Sequence, residues 1–236
     1  QMGLEGAVKK VEKQNTIIRD AIRKHGGKEA LHEGRAIIGS FIAAENAVNC
    51  GLAIQEQMNG LPDDSFSVQI HAGEPVAQTD ELFGDTLQLL QWLGMLKRKE
   101  AIIITDGIKE LIAKDMQDKR TVQLLALTLP DEQFLISLFD VLNKNYADNE
   151  FSAENYAQIL TMSKSQMFRR VTALTGYSPN DLLKEYRLEK AKELLRKKKH
   201  NVFEVALETG FTSASYFTKC FKTKFGLLPL AYQQLV

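Results

Sequence analysis

The sequence predicts two domains of different class: an α/β domain (α+β in its details) over residues 1–130, then an all-α domain over residues 131–236. Three observations carry this. Short β-branched runs alternate with amphipathic helical stretches as far as Leu127. Beyond Pro130 the strand signals stop, and only helices and turns follow. The charge also changes sign along the chain. Lys plus Arg and Asp plus Glu are 30 each overall, yet residues 151–236 hold 14 of the former and 7 of the latter. The zero net charge is a cancellation, and its two parts depend on the cut, because the segment 131–150 is acidic. A basic domain joined to an acidic one points toward nucleic acid, although a solvated surface gives the same tally.

Hydrophobic residues at 44% and charged residues at 25% suffice for proper cores and argue against disorder. Two cysteines, Cys50 and Cys220, are no disulfide framework and fit a reducing compartment. No apolar run approaches the ~18 residues that span a bilayer, and residues 1–24 are charged throughout, unlike a signal peptide. The expected location is the cytoplasm, with no membrane partner. Gln1 is not a translational start, so either the chain opens at Met2 behind an added residue or it is a piece of something longer.

The elements follow in order. Leu4, Val8, Val11, Ile18 and Ile22 recur at helical spacing over residues 4–24, and Gly26-Gly27 ends that helix. Ala36–Phe41 is a short buried strand. Glu45–Met58 is a helix with Ala47, Val48, Leu52, Ala53 and Ile54 inward. Phe66–Ala72 alternates as strands do. Asp85–Leu96 is a helix, Ala101–Thr105 a β-branched strand, Asp106–Ala113 a short helix and Val122–Leu127 a last strand. Glu132–Asn143 opens the all-α part with Phe134, Leu135, Leu138 and Val141 on one face.

Two helix–turn–helix units come next. Ser152 caps a helix carrying Tyr156, Ala157, Ile159 and Leu160, and Thr161-Met162 form the turn. Ser163 caps the second helix, with Met167, Val171 and Leu174 inward. That leaves Lys164, Ser165, Gln166, Phe168, Arg169 and Arg170 on or near the outer face, as major-groove reading requires; a bare exposed helix face is the alternative. Ser178-Pro179 starts a long helix that buries Leu182, Leu183, Tyr186, Leu194 and Leu195 and ends in Lys197, Lys198 and Lys199. Asn201 caps the next helix, with Val202, Val205 and Ala206 inside. Gly210 allows a positive φ in the turn. The final recognition segment buries Phe217 and Phe221 and turns out Ala214, Ser215, Thr218, Lys219 and Lys222. A long helix between two such units can act as a spacer, setting two recognition helices in successive major grooves about 34 Å apart.

The stretch FSAENYAQILTMSKSQMFRRVTALTGYSPNDLLKEYRLEKAKELL, followed by NVFEVALETGFTSASYFTKCFKTKFGLLPLAYQQ, resembles the AraC family of bacterial transcription regulators. The likeness covers about residues 131–236 and ends in Phe225, Gly226, Pro229 and Tyr232. It implies DNA contacts through Ser165, Phe168 and Arg169 in the first recognition helix and Ala214, Ser215, Thr218 and Lys219 in the second. Two departures stand out. Thr161 holds a turn position where the family often has glycine. Ala214 and Ser215 are short, so the second helix is expected to grip phosphates more than to read bases. Cys220, a thiol without a resolving partner, is expected to be inert.

Residues 25–41 and 67–112 resemble class III adenylate/guanylate cyclase domains. The matching pieces are HGG (25–27), IHAGEPV (70–76), FGDTLQLLQWL (83–93) and IIITDGIKELI (102–112). The resemblance implies a ferredoxin-like sheet and places the catalytic positions. The opening strand with its metal carboxylate is missing before Leu4. The second metal carboxylate falls on Arg35, within Gly34-Arg35-Ala36, where a cation repels a metal. The base-selecting lysine position is Leu31, the asparagine position Gln88, and the transition-state arginine position Trp92. Glu74 and Asp85 do not rebuild the site, Asp85 is expected to cap a helix, and His71 is expected to be structural. No catalysis, metal or cofactor is therefore expected.

The expected function is a DNA-binding transcription regulator with double-stranded DNA as partner. Its cyclase-like domain would form a homodimer or sense an unknown small-molecule effector. The helix 4–24 either joins that dimer seam or packs on its own sheet. A nucleotide-sensing regulator and a cyclase coupled to DNA binding are the alternatives.

Overall fold

The computed structural model describes residues 4–33, 36–58, 66–73, 84–97, 101–112 and 124–235, with the side chains of 4–10, 31–33 and 84–85 left out. Arg35 and Glu74 lie outside these residues, as do the side chains of Leu31 and Asp85. The chain divides into two compact units. One holds residues 1–94 and 98–132, the other residues 95–97 and 133–236.

The first unit begins with α1 (Leu4–Lys24). Gly26 ends it with φ +73°, a backbone region that costs glycine nothing. A hairpin follows, β1 (Lys28–Glu33) antiparallel to β2 (Ala36–Ser40), with an irregularity between Glu29 and Leu31. The sequence reading supplied β2 but not β1, since KEALHE lacks the period-two apolar pattern of a strand. Next come α2 (Ala44–Met58), β3 (Val68–Ile70), α3 (Gly84–Gly94), β4 (Ile102–Ile104), α4 (Asp106–Leu111) and β5 (Leu124–Ala126). Strands β3, β4 and β5 form a parallel sheet in that order, with Val68 opposite Ile102 and Ile102 opposite Leu124. Parallel neighbours need crossovers, which α3 and α4 span. The central strand is covered on both faces, as its unbroken Ile102-Ile103-Ile104 run demands.

Helix α2 serves both sheets. Val48 and Leu52 pack with Ile70, Ile102, Ile104 and Ile108. Cys50, Ile54 and Met58 pack with Ala21 and Ile22 of α1 and with Ile37 of β2. The C-terminal half of the α1 stripe is thus used within its own domain. Burial among these side chains pushes the Cys50 thiol up to about 11, so it is un-ionised at neutral pH. The described strands form two sheets, whereas the cyclase-like expectation is one ferredoxin-like sheet. Val68 packs into the cores beneath both.

The second unit is all helix: α5 (Leu129–Asn145), α6 (Ala153–Ile159), α7 (Lys164–Thr175), α8 (Pro179–Lys197), α9 (Val202–Glu208), α10 (Ala214–Phe225) and α11 (Pro229–Leu235). Asp131 and Glu132, still counted in the first unit, form the acidic first turn of α5, where negative charge suits the dipole. Two apolar cores lie along α8. Leu182, Leu183 and Tyr186 are buried toward its N-terminal end. Tyr186 meets the Phe139 and Tyr146 rings, 6.2 and 5.8 Å between centroids, and its hydroxyl donates to Asn143 Oδ1 at 2.8 Å. From Leu188 onward the helix joins the other core with Ala191, Leu195, Val205, Ala206, Phe211, Phe217 and Phe221.

Candidate nucleic-acid interface

Each helix pair in the second unit is built the same way. In the first, the amide N–H of Thr161 donates to the Gln158 carbonyl at 3.1 Å and that of Met162 to the Ala157 carbonyl at 2.9 Å. In the second, Gly210 donates to Leu207 at 3.0 Å and Phe211 to Ala206 at 2.9 Å. Both sets are the 5→2 and 6→1 bonds of a Schellman turn, which needs a left-handed residue at its apex. Gly210 has φ +75°, and Thr161 has φ +54°. The sequence departure at Thr161 therefore leaves the turn intact and forces a β-branched residue into a region it rarely adopts.

The recognition helices are capped alike. Ser163 Oγ accepts from the Gln166 N–H at 3.2 Å, and Gln166 Oε1 accepts from the Ser163 N–H at 3.1 Å, a capping box. Ser213 Oγ accepts from the Tyr216 N–H at 3.3 Å. These bonds satisfy helix N-terminal amides that otherwise lack partners. Met167 and Val171 anchor α7, and Phe217 and Phe221, both at 0% exposure, anchor α10. The opposite faces are open.

The predicted residues now divide. Ser165, Phe168 and Arg169 stand exposed on α7, Phe168 at 52%. Arg169 Nε donates to the Ser165 carbonyl one turn back, at 3.4 Å. Three others also have partners within the protein. Lys164 pairs with Glu154 on α6. The Gln166 carboxamide closes the cap. The Arg170 guanidinium lies 4.2 Å from the centre of the Phe134 ring on α5, so its planar face packs one helix on the next. On α10, Ser215, Lys219 and Lys222 are exposed, and Ala214 and Thr218 are half-buried.

Sequence reasoning missed Tyr216. It is 53% exposed, on the first turn of α10 between Ser215 and Lys219. The neighbouring Cys220 thiol and partial burial hold its hydroxyl above the ordinary tyrosine range. An aromatic at the third position of a capped first turn, beside the small Ala214 and Ser215, was the available signal. Cys220 is half-buried beneath it.

In the first unit, Trp92, the arginine position of the cyclase likeness, is 6% exposed, and Gln88 is half-buried. His71 Nδ1 lies 3.0 Å from Thr105 Oγ1 and 3.9 Å from Glu132 Oε1, and burial draws its pKa below the usual imidazole range. These contacts suit a structural histidine. Among the described residues no group of three or more His, Cys, Asp or Glu is placed to hold a metal, and no helix is long and apolar enough to cross a membrane.

Residues 156–235 match a family model described as a helix-turn-helix domain. Histidine kinase P4 of Formosa agariphila is 36% identical over 103 residues, 44% of this chain and 8% of that protein. The HTH-type transcriptional regulator MtrA of Neisseria gonorrhoeae is 28% identical over 192 residues, 75% of this chain and 58% of that protein. Among solved structures, the DNA-binding domain of the transcriptional factor AdpA, determined in complex with a target DNA, is 28% identical with a TM-score of 0.40. That match covers 42% of this chain and 89% of the other. The chain spans less than two thirds of the length of both curated relatives.

Proposed function

We propose that this chain, whose C-terminal domain is a helix–turn–helix DNA-binding domain of the AraC type, is a sequence-specific DNA-binding transcription regulator. The observation that carries this is the pair of capped recognition helices, each anchored by a buried face and each presenting an unburied polar first half. Phe168 offers an apolar edge to a thymine methyl, and Arg169 a fork for guanine or phosphate. Ser215, Tyr216 and Thr218 supply hydroxyls beside Ala214, and Lys219 and Lys222 supply phosphate-gripping charge. Lys164, Gln166 and Arg170 act one step back, holding α7 in place.

The test is fluorescence anisotropy on duplexes selected by the protein from a randomised pool, repeated across a salt series. Lys219→Ala should lower the magnitude of the log–log salt slope by about one and weaken all sequences alike. Arg169→Ala should cost about 1–3 kcal/mol and relax preference at one position. Both variants binding as tightly as wild type at every salt concentration would sink the assignment.

For the first unit we propose a non-catalytic role, dimerising the regulator or sensing a signal. Trp92 supports this, since a buried indole has no charge to place on a phosphate. Sedimentation, a nucleotide thermal-shift screen and an assay for cyclic nucleotide with ATP or GTP and manganese test it together. A monomer rejects the dimerising role, the absence of any nucleotide shift rejects nucleotide as the signal, and product formation rejects the non-catalytic assignment.

A further inference from the structure

The two halves of the DNA-binding domain meet around Arg187 of α8. On α8, Tyr186 packs with the first core and Leu188 with the second, and Arg187 lies between. Its Nε donates to the Tyr146 carbonyl at 2.8 Å and its Nη2 to the Asp148 carbonyl at 2.6 Å. Both acceptors lie just past the C-terminus of α5, where helix carbonyls lack partners and a cation is favoured. The turn of the second helix–turn–helix unit presses on the same spot. A Cβ on Gly210 would stand 2.4 Å from the Tyr146 carbonyl oxygen and 2.8 Å from Arg187 Nε. Backbone from the second helix–turn–helix pair thus rests on the carbonyl that Arg187 holds at the end of α5.

A second tie brackets the first. Lys224 of α10 contacts Glu185 Oε2 at 2.7 Å and Glu189 Oε1 at 3.1 Å, and donates to the Glu185 carbonyl at 3.2 Å. Glu185 and Glu189 flank Arg187 on α8. Charge-assisted, forked bonds of this kind fix direction as well as distance. The arrangement is a strut, not a hinge.

We propose that the Arg187–Tyr146–Gly210 junction holds α7 and α10 at one separation and orientation, with Arg187 the positioning residue, so that the protein accepts only DNA sites whose two contact segments have one spacing. This rests on the DNA-binding function above. Two linked modules gain avidity only when both engage at once, and a rigid link removes that gain when the targets move apart. Two extra base pairs turn the second segment by roughly 70° and shift it by about 7 Å, from the ~34 Å rise of a 10–10.5 base-pair turn.

The experiment uses the full chain and a duplex that wild type selects from a randomised pool, with the two protected segments mapped by footprinting. A second duplex carries two base pairs inserted between those segments. The readout is the ratio of the two Kd values. For wild type the inserted duplex should bind about tenfold or more weakly. Arg187→Met keeps the apolar stem and loses the fork, and its ratio should fall to about threefold or less. Arg187→Lys, with a charge but no fork, should lie between and serves if the methionine variant fails to fold. A purely structural role for Arg187 lowers the active fraction on both duplexes equally and leaves the ratio at the wild-type value, which overturns the proposal. A wild-type ratio near one overturns it as well. A wild type that enriches no duplex removes the DNA-binding function itself, a different and recognisable failure.

Discussion

Replacing Thr161 by glycine should stabilise the DNA-binding domain. Thr161 holds φ +54° at the apex of the first Schellman turn. A left-handed conformation costs an L-residue about 1–2 kcal/mol, and β-branching places threonine toward the upper end. The side chain is exposed, so little buried surface is lost with it. Against the relief stands the added freedom of glycine in the unfolded chain, about 0.4–1 kcal/mol. The net expectation is a gain of about 1 kcal/mol, or roughly 4–8 °C in Tm for a domain of this size. Urea denaturation of wild type, Thr161→Gly and Thr161→Ala measures it, and alanine is the control because it removes the branch but keeps the Cβ. DNA affinity should be unchanged, since both turn hydrogen bonds use only backbone atoms. A glycine variant no more stable than the alanine variant would refute the strain argument.

Other expectations follow from the same contacts. Gly210→Ala combines a left-handed apex with a Cβ 2.4 Å from a backbone oxygen, so a loss of about 3 kcal/mol or more in chemical denaturation is expected. A loss under about 1 kcal/mol would mean the turn does not press on Tyr146. Glu189 titrates below the ordinary range: its burial raises the pKa, but the charges of Lys224 and Lys192 outweigh that. Its folded pKa is depressed, so its contribution is present above the unfolded value near 4.3 and is lost as pH falls through the folded one. The stability gap between wild type and Glu189→Gln should therefore narrow between about pH 5 and pH 3, and a gap constant over that window would argue against the network. The Cys50 thiol, pushed up to about 11 by burial, should react with a thiol reagent far more slowly than Cys220 at pH 7.5, as mass mapping of the labelled chain would show.

Much of the second domain was legible because its local signals agree with one another. Ser152, Ser163, Ser178 and Asn201 each precede a helix at its cap, and the apolar spacing that puts Phe217 and Phe221 inside also leaves Ser215 and Lys219 outside. What a single helix cannot reveal is who else needs its side chains. Arg170 and Lys164 are polar groups on an outer face by periodicity, yet Phe134 and Glu154 come from other helices to meet them. Gln166 is hidden differently, because the same residue type serves a cap or a base edge. In the first domain β1 escaped notice because Lys28, Glu29 and Ala30 are all exposed, so no buried face imposes apolar alternation there. The pairing of β4 with β3 on one side and β5 on the other was equally out of reach, since a three-residue strand holds too little pattern to name its neighbour.

The two turns show why glycine is demanded in one place and dispensable in another. Both carry the same pair of backbone bonds, and both need φ near +60°. At Thr161 the surroundings are open, so the only cost of a side chain is torsional, about a kilocalorie per mole or two. At Gly210 the cost is torsional and steric together, because the turn is pressed onto Tyr146 and Arg187. A fold tolerates the first penalty and rejects the second. Local turn chemistry makes glycine preferred at both apices, and the contact between the two halves of the domain makes it obligatory at one. The departure at Thr161 therefore costs the first helix–turn–helix pair stability without breaking its turn, whereas under the junction proposed above a side chain at Gly210 would loosen the second pair against the first and relax the DNA spacing the protein accepts.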